Sequence, residues 1–289
     1  MRGILAAAAC IPLLALAVPG QTCRPARAAD TASPQSVKWV DWAFDGGSDL
    51  AEVPEPSGLC YYPPRDTLFI VDDGAPDRPA GLYEIDLHAK LLQKLELGKD
   101  LEGVCYDPVD GMLYVADETG EMVHVVYPDG LKLVGSFQVS REFGGKELLI
   151  AGGNGFEGIE FIADPQAARG GYFLLLNQDD PHCLVRVEVP DVQAALPSEP
   201  VAITAYWPLP PINSGELYYD QAAGELWVVH SWMNVVQILD IHTMDTLRWE
   251  VLPGCAQEGV AFDGQGRLWI SSDSGGISRY LPPGTDSQH

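Results

Sequence analysis

Positively charged residues are scarce in this 289-residue chain, where 17 Lys and Arg stand against 41 Asp and Glu for a net charge of −24. Nucleic-acid backbones and anionic membranes attract Lys and Arg, so this composition disfavours both as partners. An acidic surface suits a bound cation, a cationic partner or solubility alone, and composition does not choose among the three.

Long apolar runs are absent after the N-terminus. A basic start, an apolar run over residues 4–18 and the small residues Ala26 and Ala28 predict a secretory signal peptide over residues 1–28. The run is too short for a membrane-spanning helix. A lipid anchor through Cys23 is disfavoured, because the residues before it lack the apolar and small character that lipoprotein processing requires. We expect an exported monomer, periplasmic or extracellular, without stable membrane insertion.

Cysteine is too sparse for a disulfide framework, since only Cys60, Cys105, Cys183 and Cys255 follow the leader. Cys60 and Cys105 occupy the same place in two repeats, where a separation beyond the roughly 7 Å Cα limit for a bridge is expected. Buried free thiols are the prediction, and a Cys183–Cys255 bridge stays open. Familiar catalytic motifs are also missing: there is no Gly-x-Ser-x-Gly turn, phosphate-cradling glycine loop or Cys-His zinc spacing.

What the sequence contains is a repeated pair of strands. In one copy, residues 102–107 and 112–117 are β-rich runs separated by a turn, and each copy carries a glycine near its start. These glycines recur every 44 to 57 residues, at Gly58, Gly103, Gly158, Gly215 and Gly259. That period, with Gly, Pro and Asp turns between short strands, indicates four strands per repeat. We predict an all-β, five-bladed β-propeller, with six blades as the alternative.

The fifth repeat ends early, with only residues 277–280 as a third strand. Residues 37–44 read as a strand that precedes the first repeat and has no partner of its own. This N-terminal strand is predicted to complete the last blade and close the ring, which protects the sheet edges. The expected organisation is a linker over residues 29–36, one propeller domain over residues 37–283 and a tail over residues 284–289.

In a propeller, the starts of the innermost strands and the ends of the second strands share one face. We predict that acidic residues from most blades meet there, and that a cation or proton lies among them, because close carboxylates cannot all stay ionised alone. Ca²⁺ is the preferred cofactor, since it takes rings of oxygen ligands. The predicted metal ligands are Glu102, Glu157 and Glu258. The predicted ligand-binding residues are Asp73, Asp117, Glu118, His230, Trp232 and Asp273.

Each of these side chains also has a structural interpretation. A Glu or Ser before a repeat glycine can accept backbone N–H bonds from the next blade and hold the ring together. His230 is either a hydrogen-bonded structural residue or a general base that needs a partner within reach. The other tryptophans fall mostly in strands and are expected in the core between blades, whereas Trp232 falls in a loop at the mouth.

The order of the Ser-Gly and Glu-Gly repeats resembles the SdiA-regulated family of exported or membrane-anchored bacterial propellers. The residues that carry the resemblance are Pro56-Ser57-Gly58-Leu59, Asp100-Leu101-Glu102-Gly103, Gly155-Phe156-Glu157-Gly158, Ser214-Gly215-Glu216 and Gln257-Glu258-Gly259. It extends from about Val37 to Pro283 and implies calcium binding at the channel, carried onto Glu102, Glu157 and Glu258 only. The chain departs from the family pattern at Trp232-Met233-Asn234 and at Ser274-Gly275-Gly276.

Two functions compete on this evidence. The preferred one is an exported module that binds a small ligand or an envelope protein at the acidic mouth. The alternative is a Ca²⁺-dependent hydrolase of the lactonase or phosphoesterase type, in which the metal polarises the substrate. Binding is preferred because the sequence supplies acids but no convincing base.

Overall fold

The computed structural model describes residues 37–75, 78–273 and 275–285. The predicted signal peptide, the predicted linker and most of the predicted tail lie outside these ranges. Within them the chain consists of strands, turns and one short 3-10 turn at Ser231–Met233, without an α-helix. No helix in this part of the chain has the length and apolar character that a membrane crossing requires.

Five antiparallel sheets form a five-bladed β-propeller, which confirms the predicted fold class. The strands of each blade are given from the axis outward. Blade 1 comprises Pro56–Tyr62, Thr67–Asp72, Gly81–Asp86 and Leu91–Glu96; blade 2 comprises Leu101–Asp107, Met112–Asp117, Met122–Tyr127 and Lys132–Gln138; and blade 3 comprises Phe156–Ala163, Gly171–Asn177, Cys183–Glu188 and Ile203–Pro208. Blade 4 comprises Leu217–Asp220, Glu225–His230, Val235–Asp240 and Thr246–Val251, and blade 5 comprises Gln257–Phe262, Leu268–Ser272, Ile277–Leu281 and Ala43–Ser48. Each innermost strand contacts those of both neighbouring blades, and the fifth contacts the first. The ring therefore closes with five blades, not six.

The N-terminal segment closes the ring as predicted, because Ala43–Ser48 pairs antiparallel with Ile277–Leu281 as the outer strand of blade 5. The predicted single strand over residues 37–44 is in fact divided. Lys38–Trp39 pairs in parallel with Thr246–Val251 at the edge of blade 4, and a tight turn with a Trp42 N–H to Val40 C=O bond of 3.1 Å follows. The segment thus joins the last two blades.

The hydrophobic core lies between the blades, in five clusters that each span one blade interface. Because side chains alternate across a strand, both faces of every blade are apolar and bury against a neighbour. Tyr114 of blade 2 and Phe173 of blade 3, for example, have ring centroids 4.5 Å apart. Trp227 and Trp269 are buried in these clusters, as the sequence predicts. Burying one such side chain fully stabilises the fold by about 1.5–3 kcal/mol.

The repeat glycines mark the closest approach of neighbouring innermost strands. A Cβ atom on Gly103 would lie 2.7 Å from the backbone nitrogen of Ile159 in the next blade. A Cβ on Gly58 would lie 2.7 Å from the Cα of Gly103 and 2.5 Å from the carbonyl oxygen of Glu102. Only glycine permits this spacing, which explains the most regular feature of the sequence.

Two insertions lengthen the chain around blade 3. The first contains a small hairpin, Glu142–Phe143 with Lys146–Glu147, and buries Leu148 in the cluster between blades 2 and 3. The second insertion, over residues 190–200, buries Val192 in the same cluster. No disulfide joins the cysteines of the described residues: the Cys183 thiol is buried 3.6 Å from the carbonyl oxygen of Leu148, whereas Cys255 is exposed.

Candidate functional site

An axial cavity of about 270 Å³ lies where the innermost strands begin and the second strands end. We call it the mouth. Among the described residues that line it there is no lysine, arginine or histidine. Its seven carboxylates are those of Glu55, Asp73, Glu102, Glu118, Glu157, Glu258 and Asp273. They come from blades 1, 2, 3 and 5, and none of the described lining residues comes from blade 4.

Six of the nine residues singled out in the sequence line the mouth: Glu102, Glu157, Glu258, Asp73, Glu118 and Asp273. Asp117, His230 and Trp232 do not. The role of all nine in binding stays a prediction, and the structure brings the first six to one cavity.

Strand alternation explains which exit residues reach the mouth. At the end of a second strand, one side chain points into the blade and the next points to the axis. The buried, inward set is Asp72, Asp117, Asn177 and His230. The mouth-lining set is Asp73, Glu118, Gln178 and Asp273. The sequence argument selected members of both sets, such as Asp117 and Glu118, without separating them.

Asp117 and His230 take part in hydrogen bonds within their own blades. Asp117 Oδ2 lies 3.0 Å from His124 Nε2, and His124 Nδ1 lies 2.6 Å from Ser136 Oγ, so one polar chain crosses three strands of blade 2. His230 is fully buried, with Nδ1 3.2 Å from the Asn213 carbonyl oxygen. Burial lowers the pKa of His230 to about 4, so it is neutral near pH 7. These contacts favour the structural interpretation for both residues.

Trp232 projects from the turn that follows the second strand of blade 4 and is 83% exposed. The turn is held by Asn234, which adopts a left-handed conformation with φ of 53° and accepts the Ala256 N–H at 3.2 Å. The indole is therefore presented to solvent on a fixed turn, outside the lining of the mouth.

Five of the mouth carboxylates hold their protons more tightly than ordinary acids. Burial raises the pKa values of Asp73, Glu118 and Glu258 to about 7, and neighbouring carboxylates add to the effect. Burial also raises the pKa values of Glu102 and Glu157, and the carboxylates of Glu102, Glu118 and Glu258 contribute at Glu157. Since no basic side chain lines this part of the described chain, only protons or a bound cation can offset the charge.

Glu102 also joins two blades. Ser57 Oγ of blade 1 donates to Glu102 Oε2 at 2.7 Å and lies 3.0 Å from the Glu102 carbonyl oxygen. This hydrogen bond partly opposes the effect of burial on the pKa of Glu102. The structural and metal-binding interpretations of Glu102 are therefore compatible, because each uses different lone pairs of the same group.

Among the described residues, three carboxylates that could hold a metal ion differ from the predicted trio. Asp73, Asp100 and Glu102 each bring a carboxylate oxygen to within 4.8 Å of the other two. Only Glu102 belongs to the predicted metal set, and the sequence analysis did not select Asp100. Asp100 precedes Glu102 by two residues, so the period-two pattern of strands was the signal that could have found it.

Glu216 is a second residue that sequence reasoning missed. It lies fully buried beneath the mouth, with Oε1 accepting the Leu217 N–H at 2.8 Å and Oε2 without a hydrogen-bond partner among the described residues. Oε2 lies beside Gly58 and Oε1 beside Gly158, so the side chain of Glu216 extends toward the innermost strands of blades 1 and 3. Burial raises its pKa well above the ordinary value, and the Glu160 carboxylate contributes.

Comparison with known proteins gives one family match and several fold matches. A family model described as SdiA-regulated matches residues 47–275. No curated protein matches the chain. A glutaminyl cyclase from Myxococcus xanthus has a similar structure, with a TM-score of 0.63 at 14% identity over 87% of this chain and 100% of the other. Hydrazine synthase from Kuenenia stuttgartiensis gives 0.44 at 13% identity over 76% of this chain and 56% of the other.

Proposed function

Because this chain belongs to the SdiA-regulated family, we propose that it is an exported propeller that binds Ca²⁺ at its mouth and there recognises a small ligand or an envelope protein. Export is inferred from the leader sequence. One observation carries the cation site: seven carboxylates converge on a cavity of about 270 Å³ with no basic side chain in its described lining.

A hard divalent cation fits this chemistry better than protons alone. Ca²⁺ accepts about six to eight oxygen ligands in flexible geometry, whereas Mg²⁺ demands a near-ideal octahedron. The cluster of Asp73, Asp100 and Glu102 supplies three oxygens, and Glu157 and Glu258 face the same space. Each carboxylate that binds the ion must lose its proton, so affinity for the ion increases as the pH rises through about 7.

Calorimetric titration of metal-free protein with Ca²⁺ tests the site. We expect saturable binding, weakened at least about tenfold in Asp100→Asn and Glu157→Gln, because each loses one charged ligand oxygen. Glu199→Gln is the matched control, since Glu199 is exposed and lies outside the mouth. Absence of bound Ca²⁺, or equal affinity in all three variants, contradicts the proposed site.

One observation favours a hydrolase as the second candidate. Glu118 and Glu258 have pKa values of about 7, the range suited to general acid–base catalysis. A screen of lactones, phosphate esters and carboxyl esters with and without Ca²⁺ addresses this function, and a glutaminyl cyclase assay belongs in the screen because of the shared fold. Turnover that disappears in Glu258→Gln would replace the binding-only proposal.

A further inference from the structure

A second and larger cavity opens beside the mouth, between blades 1 and 2. It measures about 920 Å³ and shares Glu55 and Asp73 with the mouth, while Asp100 links it to the three-carboxylate cluster. We call it the side groove. Unlike the mouth, it is also lined by two cationic residues, Arg78 and Lys99. This volume lies within the range of about 300–1,000 Å³ typical of small-molecule sites.

Both cations have donor capacity that the protein does not use. Arg78 donates through Nη1 to Asp72 Oδ2 at 2.6 Å, but its buried Nη2 has no hydrogen-bond partner among the described residues. Lys99 is exposed, and within the described ranges no carboxylate lies in ion-pair contact with it, although three line the same groove. Buried donors without acceptors are rare in proteins, so Nη2 of Arg78 is a donor that a ligand oxygen can satisfy, and Lys99 offers a second donor in the same groove.

We propose that the side groove binds the oxyanion of a small organic ligand, a carboxylate or a phosphate monoester, in a Ca²⁺-dependent manner. The proposal rests on the cation site proposed above. A ligand oxygen completes the coordination of an ion held by Asp73, Asp100 and Glu102, and Arg78 and Lys99 donate to the same oxyanion. The rest of the ligand occupies the side groove.

The dependence on Ca²⁺ follows from the charges in the groove. Glu55, Asp73 and Asp100 outnumber the two cations when no metal is bound, so an approaching anion is repelled. A divalent ion at the carboxylate cluster reverses the local sign. The bound metal therefore creates the anion site, and Lys99 and Arg78 determine where in the groove the anion binds.

Calorimetry with two probes, methyl phosphate and acetate, tests the inference on purified protein with and without saturating Ca²⁺. We expect binding only in the presence of Ca²⁺, and the tighter probe identifies the acid class. Lys99→Gln should weaken that binding about tenfold, as expected for the loss of one charge-assisted hydrogen bond. Arg78→Lys keeps a cation beside Asp72 but removes Nη2, and should weaken it as well.

Lys132→Gln is the matched control, because Lys132 is an exposed lysine of the outer strand of blade 2 and does not line the groove. It should leave both Ca²⁺ and probe binding unchanged. If Ca²⁺ binds but neither probe does, or if Lys99→Gln binds the probes like the parent protein, the side-groove proposal is wrong and the cation site stands. If Ca²⁺ itself does not bind, both proposals are wrong.

Discussion

Glu258 and Asp263 lie at opposite ends of one strand, and their carboxyl groups have pKa values shifted in opposite directions. Glu258, at the start of Gln257–Phe262, faces the mouth, and burial raises its pKa to about 7. Asp263 follows the end of the same strand and is also buried, which opposes ionisation. Hydrogen bonds from Trp269 at 2.8 Å and Arg267 at 2.7 Å nevertheless hold the pKa of Asp263 below its ordinary value. Partners, and not burial alone, decide the charge state.

Other acids away from the mouth are also paired with basic residues. Glu225 forms two hydrogen bonds with Arg248, at 2.6 and 2.7 Å, and Asp45 pairs with Arg279 at 2.6 Å. Arg248 and Arg279 thus neutralise acids at the rim of the ring. The carboxylates of the mouth have no such basic partners in its described lining, so their negative charge is available to a bound cation.

The largest expected effect comes from removing a paired rim acid. Asp263→Ala deletes the acceptor of the Arg267 and Trp269 donors and leaves them unpaired in a buried position. We expect the free energy of unfolding to fall by about 3 kcal/mol, as for other broken buried ion pairs. Urea unfolding measures it. A loss below about 0.5 kcal/mol, the usual size for an exposed position, would remove the contrast between rim and mouth.

Saturation of the mouth with Ca²⁺ should have the next largest effect, in the stabilising direction. A ligand at one hundred times its dissociation constant stabilises the folded state by about 2.7 kcal/mol. Thermal unfolding in Ca²⁺ and in metal-free buffer measures the shift. It should persist in full in Asp263→Ala and fall to about half or less in Asp100→Asn, whose affinity is at least about tenfold lower. An equal shift in both variants would place the ion elsewhere.

A smaller effect is expected when one mouth carboxylate is neutralised without metal. The folded pKa of Glu157 is raised above the ordinary value of 4.5, so the unfolded chain releases its proton first as the pH rises. Stability therefore declines from about pH 4.5 upward until the folded pKa is passed. Glu157→Gln should remove this part of the decline and raise the free energy of unfolding at pH 8, but not at pH 4. Urea unfolding across this pH range measures the free energy of unfolding. If Glu157→Gln is no more stable than the parent protein at pH 8, the carboxylates of the mouth do not repel one another as proposed.

The smallest effect concerns the exposed aromatic residue beside the mouth. Trp232 is 83% exposed, so Trp232→Ala should change the free energy of unfolding by less than about 0.5 kcal/mol. Calcium affinity should also be unchanged, because the indole does not line the mouth. Reduced Ca²⁺ affinity with normal stability would extend the binding site to this turn.

Much of the architecture could be predicted because the repeat glycines mark contacts between innermost strands. Gly58 and Gly103 were informative since no side chain fits there. The site was predicted less well, because consecutive side chains at a strand end point in opposite directions. Asp117 is buried within its blade and Glu118 lines the mouth, and the sequence argument did not distinguish the two. Asp100 and Glu216 were missed for a related reason: neither occupies the position before a repeat glycine, yet Asp100 joins the carboxylate cluster and Glu216 is buried beside Gly58 and Gly158.

Diffraction from crystals grown with Ca²⁺ and collected at a wavelength where calcium scatters anomalously tests the central claim most directly. We predict an anomalous peak within coordination distance, about 2.3–2.6 Å, of carboxylate oxygens from Asp73, Asp100 and Glu102. A mouth without such a peak, in which the carboxyl groups hydrogen-bond one another as acids, would contradict the proposal that this propeller is built around a cation.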